Sequence, residues 1–255
     1  MPDATPRPDR PSVLVIVPTF NERDNLRALA PAVLRHRGVR LLIVDDQSPD
    51  GTGEVADALA REHAGRMEVV HRTGKRGLGR SYAEAIEYAM RTDHDLIVQM
   101  DADFSHDPEH LPAMIAAAST VDLVIGSRYR PGGRIENWSL VRRVLSASAN
   151  RYIRLVTGLR LHDCTSGYRC WRREALLRLP KDYILADGYS FLVEMLYEAV
   201  RNGLSTAEVP ITFVERRAGE SKLSLRVLIE SALTPWRLRR RPLRAHARLS
   251  RAHHN

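Results

Sequence analysis

A chain of 255 residues, 44% hydrophobic and 27% charged, has the composition of an ordinary globular protein and the length for a sizeable core in one large domain. Its two cysteines, Cys164 and Cys170, are too few for a disulfide framework, and no run of 18 apolar residues offers a membrane-spanning helix. The formal net charge of +8 favours anionic partners, whether nucleic acid, an acidic membrane surface or phosphorylated substrates, without choosing among them.

Residues 1–11 are proline-rich and charged, with no apolar h-region. They read as a disordered tail, neither signal peptide nor anchor, so the soluble part is expected in the cytosol. Val13-Leu-Val-Ile-Val17 is a continuous β-branched run, hence a buried strand, and it stops at Pro18. Asn21 and Glu22 open a helix with Leu26, Leu29, Ala30 and Val33 on one face. Leu41–Val44 is a second buried strand and ends at Asp45-Asp46; Ser48-Pro-Asp-Gly51 supplies turn and cap, and a helix follows to about His63. Met67–Val70 predicts a third strand, residues 74–79 a loop of glycines and cations, and Ser81–Met90 a helix.

The next strand carries the strongest chemical signal. In Leu96-Ile-Val-Gln-Met-Asp-Ala-Asp103 an apolar run ends in two carboxylates one residue apart. Carboxylates fixed together at a strand end repel each other and lose solvation unless a cation joins them. Asp101-x-Asp103 therefore suits Mg²⁺ or Mn²⁺, which take oxygen ligands and bridge phosphates, although a strand followed by an acidic turn is the plainer reading of the motif alone. Pro108 starts another helix and Val121–Ile125 another strand. The alternation predicts an α/β fold with a mostly parallel sheet covered on both faces. Such a sheet gathers Pro18-Thr-Phe-Asn-Glu22, Asp45-Asp46 and Asp101-Ala-Asp103 on one edge, where open α/β sheets bind ligands.

Beyond Gly126 the pattern changes. Ser139–Gly158 predicts a long helix in which Leu140, Val141, Val144, Leu145 and Ala149 alternate with Arg142, Arg143, Asn150, Arg151 and Arg154. That face fits a helix at a membrane interface and equally a solvated helix packed on the sheet. Residues 164–171 form a polar loop leading into a strand; helices follow over Glu174–Arg178 and Tyr189–Arg201, a strand over Glu208–Val214, and a last amphipathic helix over Ser224–Arg237. The expected organisation is a tail over 1–11, one catalytic domain over 12–237, and a basic tail over 238–255 that is solvated or lipid-facing.

A family resemblance rests on motifs that occur in order: Val15-Ile-Val-Pro-Thr-Phe-Asn-Glu22, Val44-Asp-Asp-Gln-Ser-Pro-Asp-Gly-Thr52, Gly77-Leu-Gly79, Met100-Asp-Ala-Asp-Phe-Ser-His106, Gly126-Ser-Arg-Tyr129, Thr165-Ser-Gly-Tyr-Arg169 and Glu215-Arg-Arg-Ala-Gly-Glu-Ser-Lys222. Over about residues 12–230 the chain resembles a family 2 glycosyltransferase of the GT-A fold and, more narrowly, the polyprenol- and dolichol-phosphate mannosyltransferases. The resemblance implies inverting transfer of mannose from GDP-mannose to a polyprenyl phosphate at the cytoplasmic face of a membrane. It also implies C-terminal amphipathic interface helices and either peripheral binding or a separate membrane-anchoring protein.

Site roles follow in the same way. Asp103 is implied as the direct ligand of Mg²⁺ or Mn²⁺, Asp101 as a partner of ribose or metal-bound water, and Ser105 as a third residue facing the metal. Pro18, Phe20, Glu22, Val44, Asp46 and Ala102 are implied around the donor nucleotide; Arg128, Arg142 and Ser146 receive the acceptor's phosphate; Arg216 and Lys222 compensate charge from a loop that closes over the donor. Physical chemistry is compatible with each role. An aromatic face such as Phe20 stacks on a base. A carboxylate such as Asp46 accepts from two N–H groups of a guanine edge, a helix-cap charge being its plainer use. Lys75, Arg76 and Arg80 around Gly77 and Gly79 suit a diphosphate. Arg142 and Ser146, four residues apart, share a helix face, and a guanidinium fork suits phosphate. A phosphate monoester, with a second pKa of about 6, needs no general base, so no catalytic histidine is expected. Two alternatives stay open: a related glucosyl- or other sugar-phosphate lipid synthase, and a basic nucleic-acid binder, which would leave the acidic strand ends unexplained. No nucleic-acid partner is therefore expected.

Overall fold

The structure, a computed structural model, describes residues 11–180, 190–215 and 225–241. Four parallel strands, β1 (Val13–Thr19), β2 (Val39–Asp45), β3 (Met67–His71) and β4 (Leu96–Gln99), are linked by helices α1 (Arg23–Leu34), α2 (Thr52–Glu62) and α3 (Leu78–Met90). A 3₁₀ turn at Pro108–His110 leads into α4 (Leu111–Ala117), and β5 (Leu123–Ser127) follows. β6 (Arg134–Glu136), α5 (Leu140–Thr157), β7 (Arg169–Arg172), α6 (Arg173–Leu177), α7 (Ser190–Arg201), β8 (Thr206–Pro210), β9 (Thr212–Val214) and α8 (Leu225–Arg240) complete the described elements. The main sheet has the order β3-β2-β1-β4-β7-β5-β8, with β7 antiparallel to both neighbours and the other pairs parallel.

Side-chain alternation explains why the strands read as unbroken apolar runs. In β1, Leu14 and Ile16 join Leu42, Val44, Ile97, Ile125 and Trp171 in one core layer. Val13, Val15 and Val17 join Leu41, Ile43, Val98 and Val124 in the opposite layer. With both faces covered, no position along the strand is left for a polar residue. Each such aliphatic side chain contributes about 1.5–3 kcal/mol on burial.

α5 matches the expected span. Ser139 caps it by accepting the Arg142 N–H (3.3 Å), and Gly158, at φ +77°, ends it in the left-handed conformation. Three expectations are corrected. α3 starts at Leu78, so the glycine- and cation-rich loop is shorter than 74–79. The strand expected over Glu208–Val214 is two strands in different sheets. Pro210, paired with Ser127, turns its nitrogen to the open edge of β8 where no N–H is needed, the Ile211 N–H makes the last bond to β5 at the Ser127 carbonyl (3.0 Å), and the chain continues as β9, paired with β6, a strand the sequence did not suggest. The boundary expected at residue 237 falls inside α8, whose Leu238 is fully buried in the core. Among the described residues no helix is long and apolar enough to cross a membrane.

Candidate active site

β2, β1 and β4 are adjacent and parallel, so the three polar clusters lie side by side on one sheet edge. Each turn there holds a non-glycine residue in the left-handed region: Asn21 (φ 61°), Gln47 (φ 59°) and Phe104 (φ 61°). Such residues cost on the order of 1 kcal/mol or more and persist only where the surroundings fix them, as at ligand sites.

The two aspartates are held differently. The Asp101 carboxylate accepts from the Tyr82 hydroxyl (3.2 Å), and its backbone N–H donates to His106 Nδ1 (3.0 Å). Burial first, and then the Asp101 charge, pushes the Tyr82 phenol well above its ordinary value, which keeps the donor protonated. Asp103, 8% exposed, accepts the Ser105 backbone N–H at 3.0 Å. Ser105 itself is buried, with its N–H securing Asp103; Ala102 is buried between the two acids. His106 escaped the sequence reading. Its imidazole stacks on Tyr168 (ring centroids 5.0 Å) and meets the edge of Phe213 (5.6 Å), tying the acidic edge to β9. Gly167 lets this wall close, since a Cβ there would lie 3.3 Å from the imidazole and 3.6 Å from an Asp101 oxygen.

On the β1–β2 side, Pro18 and Val44 are register neighbours and both are buried. The Arg76 guanidinium lies over the Phe20 ring at 5.0 Å and donates to the Gln47 carbonyl (2.8 Å). Glu22 accepts from Asn25 at 2.7 Å. Asp46 has internal partners on both oxygens: the buried Arg72 guanidinium, and the Gly77 N–H at 2.9 Å at the start of α3. Arg72 continues to Ser81 (3.1 Å), the Lys75 carbonyl (3.1 Å) and Glu84 (2.7 Å), so it fixes the distance between the β2 turn and the α3 N-terminus. The charge of Asp46 thus serves α3, while α2 is capped at Gly51 with help from Asp50.

The opposite side is basic and aromatic. Arg128 makes a two-pronged pair with the fully buried Asp163 (2.7 and 2.8 Å) and reaches Thr165 Oγ1 (2.7 Å). Burial works against the Arg128 charge, yet Asp163 more than offsets it and the pKa rises above its ordinary value. Rings of Phe213 (5.2 Å), Tyr129 (5.5 Å) and Trp138 (5.8 Å) surround the guanidinium. The backbone N–H groups of His162 and Asp163 both donate to Glu208 Oε1, at 3.0 and 2.9 Å, which fixes the loop that presents Asp163. Arg142 stacks on Trp138 (4.1 Å) and pairs with Glu215 (2.5 Å). Ser146 is half-buried one turn further along α5, beside Tyr129.

A cavity of about 530 Å³ opens here, lined by Arg128, Tyr129, Arg134, Ile135, Arg143 and Val144 among others. Gly133 is required at its wall, because a Cβ would lie 2.6 Å from the Ser127 carbonyl oxygen. The Tyr129 hydroxyl is buried at this wall, facing Ser146. Beside the cavity α5 exposes Leu140 (75%), Val141 (69%), Val144 (56%) and Leu145 (65%). The acidic and basic halves adjoin: His106 and Phe213 connect them, and the Asp101 charge is felt at Arg128. Arg216 and Lys222 lie outside the described residues.

Among the described residues no three His, Cys, Asp or Glu side chains converge as a closed metal cage. Asp101 and Asp103 fit a divalent cation that completes its shell with substrate phosphate and water, the usual habit of Mg²⁺. Of the residues not singled out from sequence, Arg72 and Asp163 had no local signal, since their partners Asp46 and Arg128 are distant in sequence, whereas His106 lies within the Met100–His106 motif and Trp138 four residues before Arg142.

An open, mostly parallel sheet with a doubly acidic carboxyl edge facing a basic pocket is the GT-A arrangement of glycosyltransferases. The chain belongs to glycosyl transferase family 2, whose pattern matches residues 14–179. It is 46% identical over 225 residues to the polyprenol monophosphomannose synthase of Mycolicibacterium smegmatis, covering 87% of this chain and 84% of the relative. It is 44% identical over 241 residues to the undecaprenyl-phosphate mannosyltransferase of Micrococcus luteus, covering 93% and 98%. Among solved structures, glucosyl-3-phosphoglycerate synthase from Mycobacterium tuberculosis, crystallised with Mn²⁺, UDP-glucose and phosphoglyceric acid, shares the fold with a TM-score of 0.63 and 20% identity over 88% of this chain and 79% of that one.

Proposed function

We propose that this glycosyltransferase moves mannose from GDP-mannose to a polyprenyl phosphate, with inversion, giving a β-mannosyl phosphopolyprenol. The observation that carries the reading is the meeting of the acidic edge with an arginine-lined cavity that opens beside an exposed apolar helix face. A lipid phosphate is the acceptor that needs both, cations for the head and a greasy surface for the tail. The names of the two relatives support the same acceptor class and the same sugar.

Asp101 and Asp103 would hold Mg²⁺ or Mn²⁺ together with the donor's diphosphate; bound there, the ion supplies Lewis-acid stabilisation of the departing group. Tyr82, His106 and Ser105 keep the two carboxylates oriented. Pro18, Phe20, Glu22, Val44 and Asp46 flank the nucleotide, with Arg76 over Phe20 adding positive charge, and Ala102 forms the floor between the acids. Arg128, Arg142 and Ser146 receive the acceptor's phosphate. Arg216 and Lys222 are assigned charge compensation over the donor. The acceptor oxygen is already anionic, so no side chain needs to take a proton from it. Catalysis is then positioning and electrostatics. The test is a transfer assay with a panel of GDP- and UDP-sugars and polyprenyl phosphate, with the anomeric configuration of the product read by NMR. A β-mannosyl product from GDP-mannose is expected; an α-linked product removes single displacement, and a preference for UDP-glucose moves the assignment to a glucosyl-phosphate lipid synthase.

A peripheral position on the cytoplasmic leaflet, alone or with a membrane-anchoring partner, is part of the same reading, and the exposed apolar face of α5 flanked by arginines supports it. Anionic vesicles are expected to float the purified protein, and Leu140→Ser with Leu145→Ser to reduce flotation about tenfold or more, since two large apolar side chains no longer enter the interface. Unchanged flotation of the double variant excludes this face.

A further inference from the structure

We propose that Glu215 is an internal stand-in for the acceptor's phosphate, occupying the Arg142 guanidinium until that phosphate displaces it. The proposal rests on the reading of the arginine-lined cavity as the acceptor site. The Trp138 indole lies between two guanidinium groups, Arg142 at 4.1 Å and Arg128 at 5.8 Å, and packs edge-on against Phe213 (5.3 Å). One ring thereby spaces the two cations, and Arg128 lines the cavity. Each cation carries a carboxylate, but the two carboxylates are unlike. Asp163 is fully buried and grips Arg128 through two nitrogens. Glu215 is bonded through one oxygen to Arg142, and the two side chains are 39% and 36% exposed.

The first pair is therefore permanent structure and the second is exchangeable. An ion pair open to water has little net strength and is lost readily to a competitor of higher charge. A phosphate monoester is such a competitor: it carries close to two negative charges at neutral pH and three acceptor oxygens. The Glu215 main chain is fixed at the end of β9 by its N–H on the Glu136 carbonyl (3.2 Å), so exchange needs only a side-chain rotation. Without Glu215, Arg142 would stack on Trp138 with its charge presented to whatever anion is near. With it, weakly held anions are screened out and Arg142 stays placed. The cost is an apparent affinity lowered by the fraction of molecules in which the pair is closed.

Glu215→Gln keeps the shape and removes the charge. It is expected to lower the acceptor KM roughly two- to sixfold with kcat unchanged, and to tighten competitive inhibition by inorganic phosphate by the same factor. Glu215→Ala is expected to move both constants in the same direction. An unchanged or raised acceptor KM in the Gln variant overturns the proposal. Arg142→Gln is measured beside it. If that variant leaves the acceptor KM unchanged, the assignment of Arg142 to the acceptor's phosphate fails. If it raises KM while Glu215→Gln has no effect, only the stand-in role fails. The double variant separates a direct exchange from a general field effect: the gain from Glu215→Gln must vanish when Arg142 is absent, and its persistence overturns the proposal.

Discussion

Asp103→Asn is expected to reduce kcat/KM for sugar transfer about a thousandfold, close to 4 kcal/mol of transition-state stabilisation. Asparagine is isosteric, and its carbonyl oxygen can still accept the Ser105 N–H that aspartate accepts at 3.0 Å, so the turn is kept. What disappears is one negative charge, 8% exposed, which under the proposed function holds the cation that stabilises a departing diphosphate. A neutral amide holds a hard divalent cation far less well than a carboxylate does, and among the described residues no third carboxylate or imidazole is placed to take over. The measurement is the transfer rate with Mg²⁺ and with Mn²⁺ at saturating concentration, beside a thermal melt. A variant that melts like the parent and transfers at the parent rate would remove Asp103 from the mechanism.

Asp163→Asn is expected to cost about 3–5 kcal/mol of stability, the largest effect on folding among the site residues. The reason is the partner left behind. Arg128 is 9% exposed, and Asp163 accepts from both its Nε and its Nη2 as well as from its backbone N–H (3.1 Å). An amide leaves that guanidinium buried without a counter-charge, with Thr165 Oγ1 still accepting from Nη2 (2.7 Å). Burial tends to raise the pKa of Asp163, but the Arg128 charge and the hydrogen bonds it receives hold it below the ordinary value of 3.8. A carboxyl depressed in the folded state stabilises the protein above its unfolded pKa and loses that contribution as pH falls through the folded one. The stability gap between parent and variant should therefore be full at pH 7, begin to close near pH 4 and shrink further in stronger acid. Urea unfolding at pH 7 and pH 3 checks this; a gap of equal size at both would show that the charge of Asp163 is not what stabilises Arg128.

The legible part of this protein follows from local rules. Unbroken runs such as Val13–Val17 and Leu41–Ile43 have both faces in the core, and that alone identifies buried parallel strands. The polar clusters that end them had to share an edge once the strands were parallel, so Asp101, Asp103, Phe20 and Asp46 fall together on it. The α5 boundaries were equally readable, from Ser139 and Gly158. The sharper site assignments came from motif resemblance. What they could not supply was commitment: Asp46 is spoken for by Arg72 and Gly77, Arg128 by Asp163, and Arg142 by Glu215.

The insertion of antiparallel β7 between β4 and β5 was not legible either. Its sequence, Arg-Cys-Trp-Arg, looks like the end of a polar loop, and only in the sheet is Trp171 seen to be fully buried with its indole N–H on Gln99 at 2.8 Å. The split of β8 from β9 at Pro210 likewise needed two separate sheets to exist before a proline could mark their border.

By itself the amino-acid sequence determined the layered α/β scaffold, the acidic edge and the amphipathic α5, because periodicity, caps and strand ends are properties of neighbours along the chain. Only the tertiary structure decided which cation answers which carboxylate, that Trp138 stands between two arginines, and that His106 backs Asp101. Those pairings join residues 4 to 73 positions apart. Electrostatic and packing energies depend on separation in space, and sequence spacing does not specify separation in space once the chain has turned.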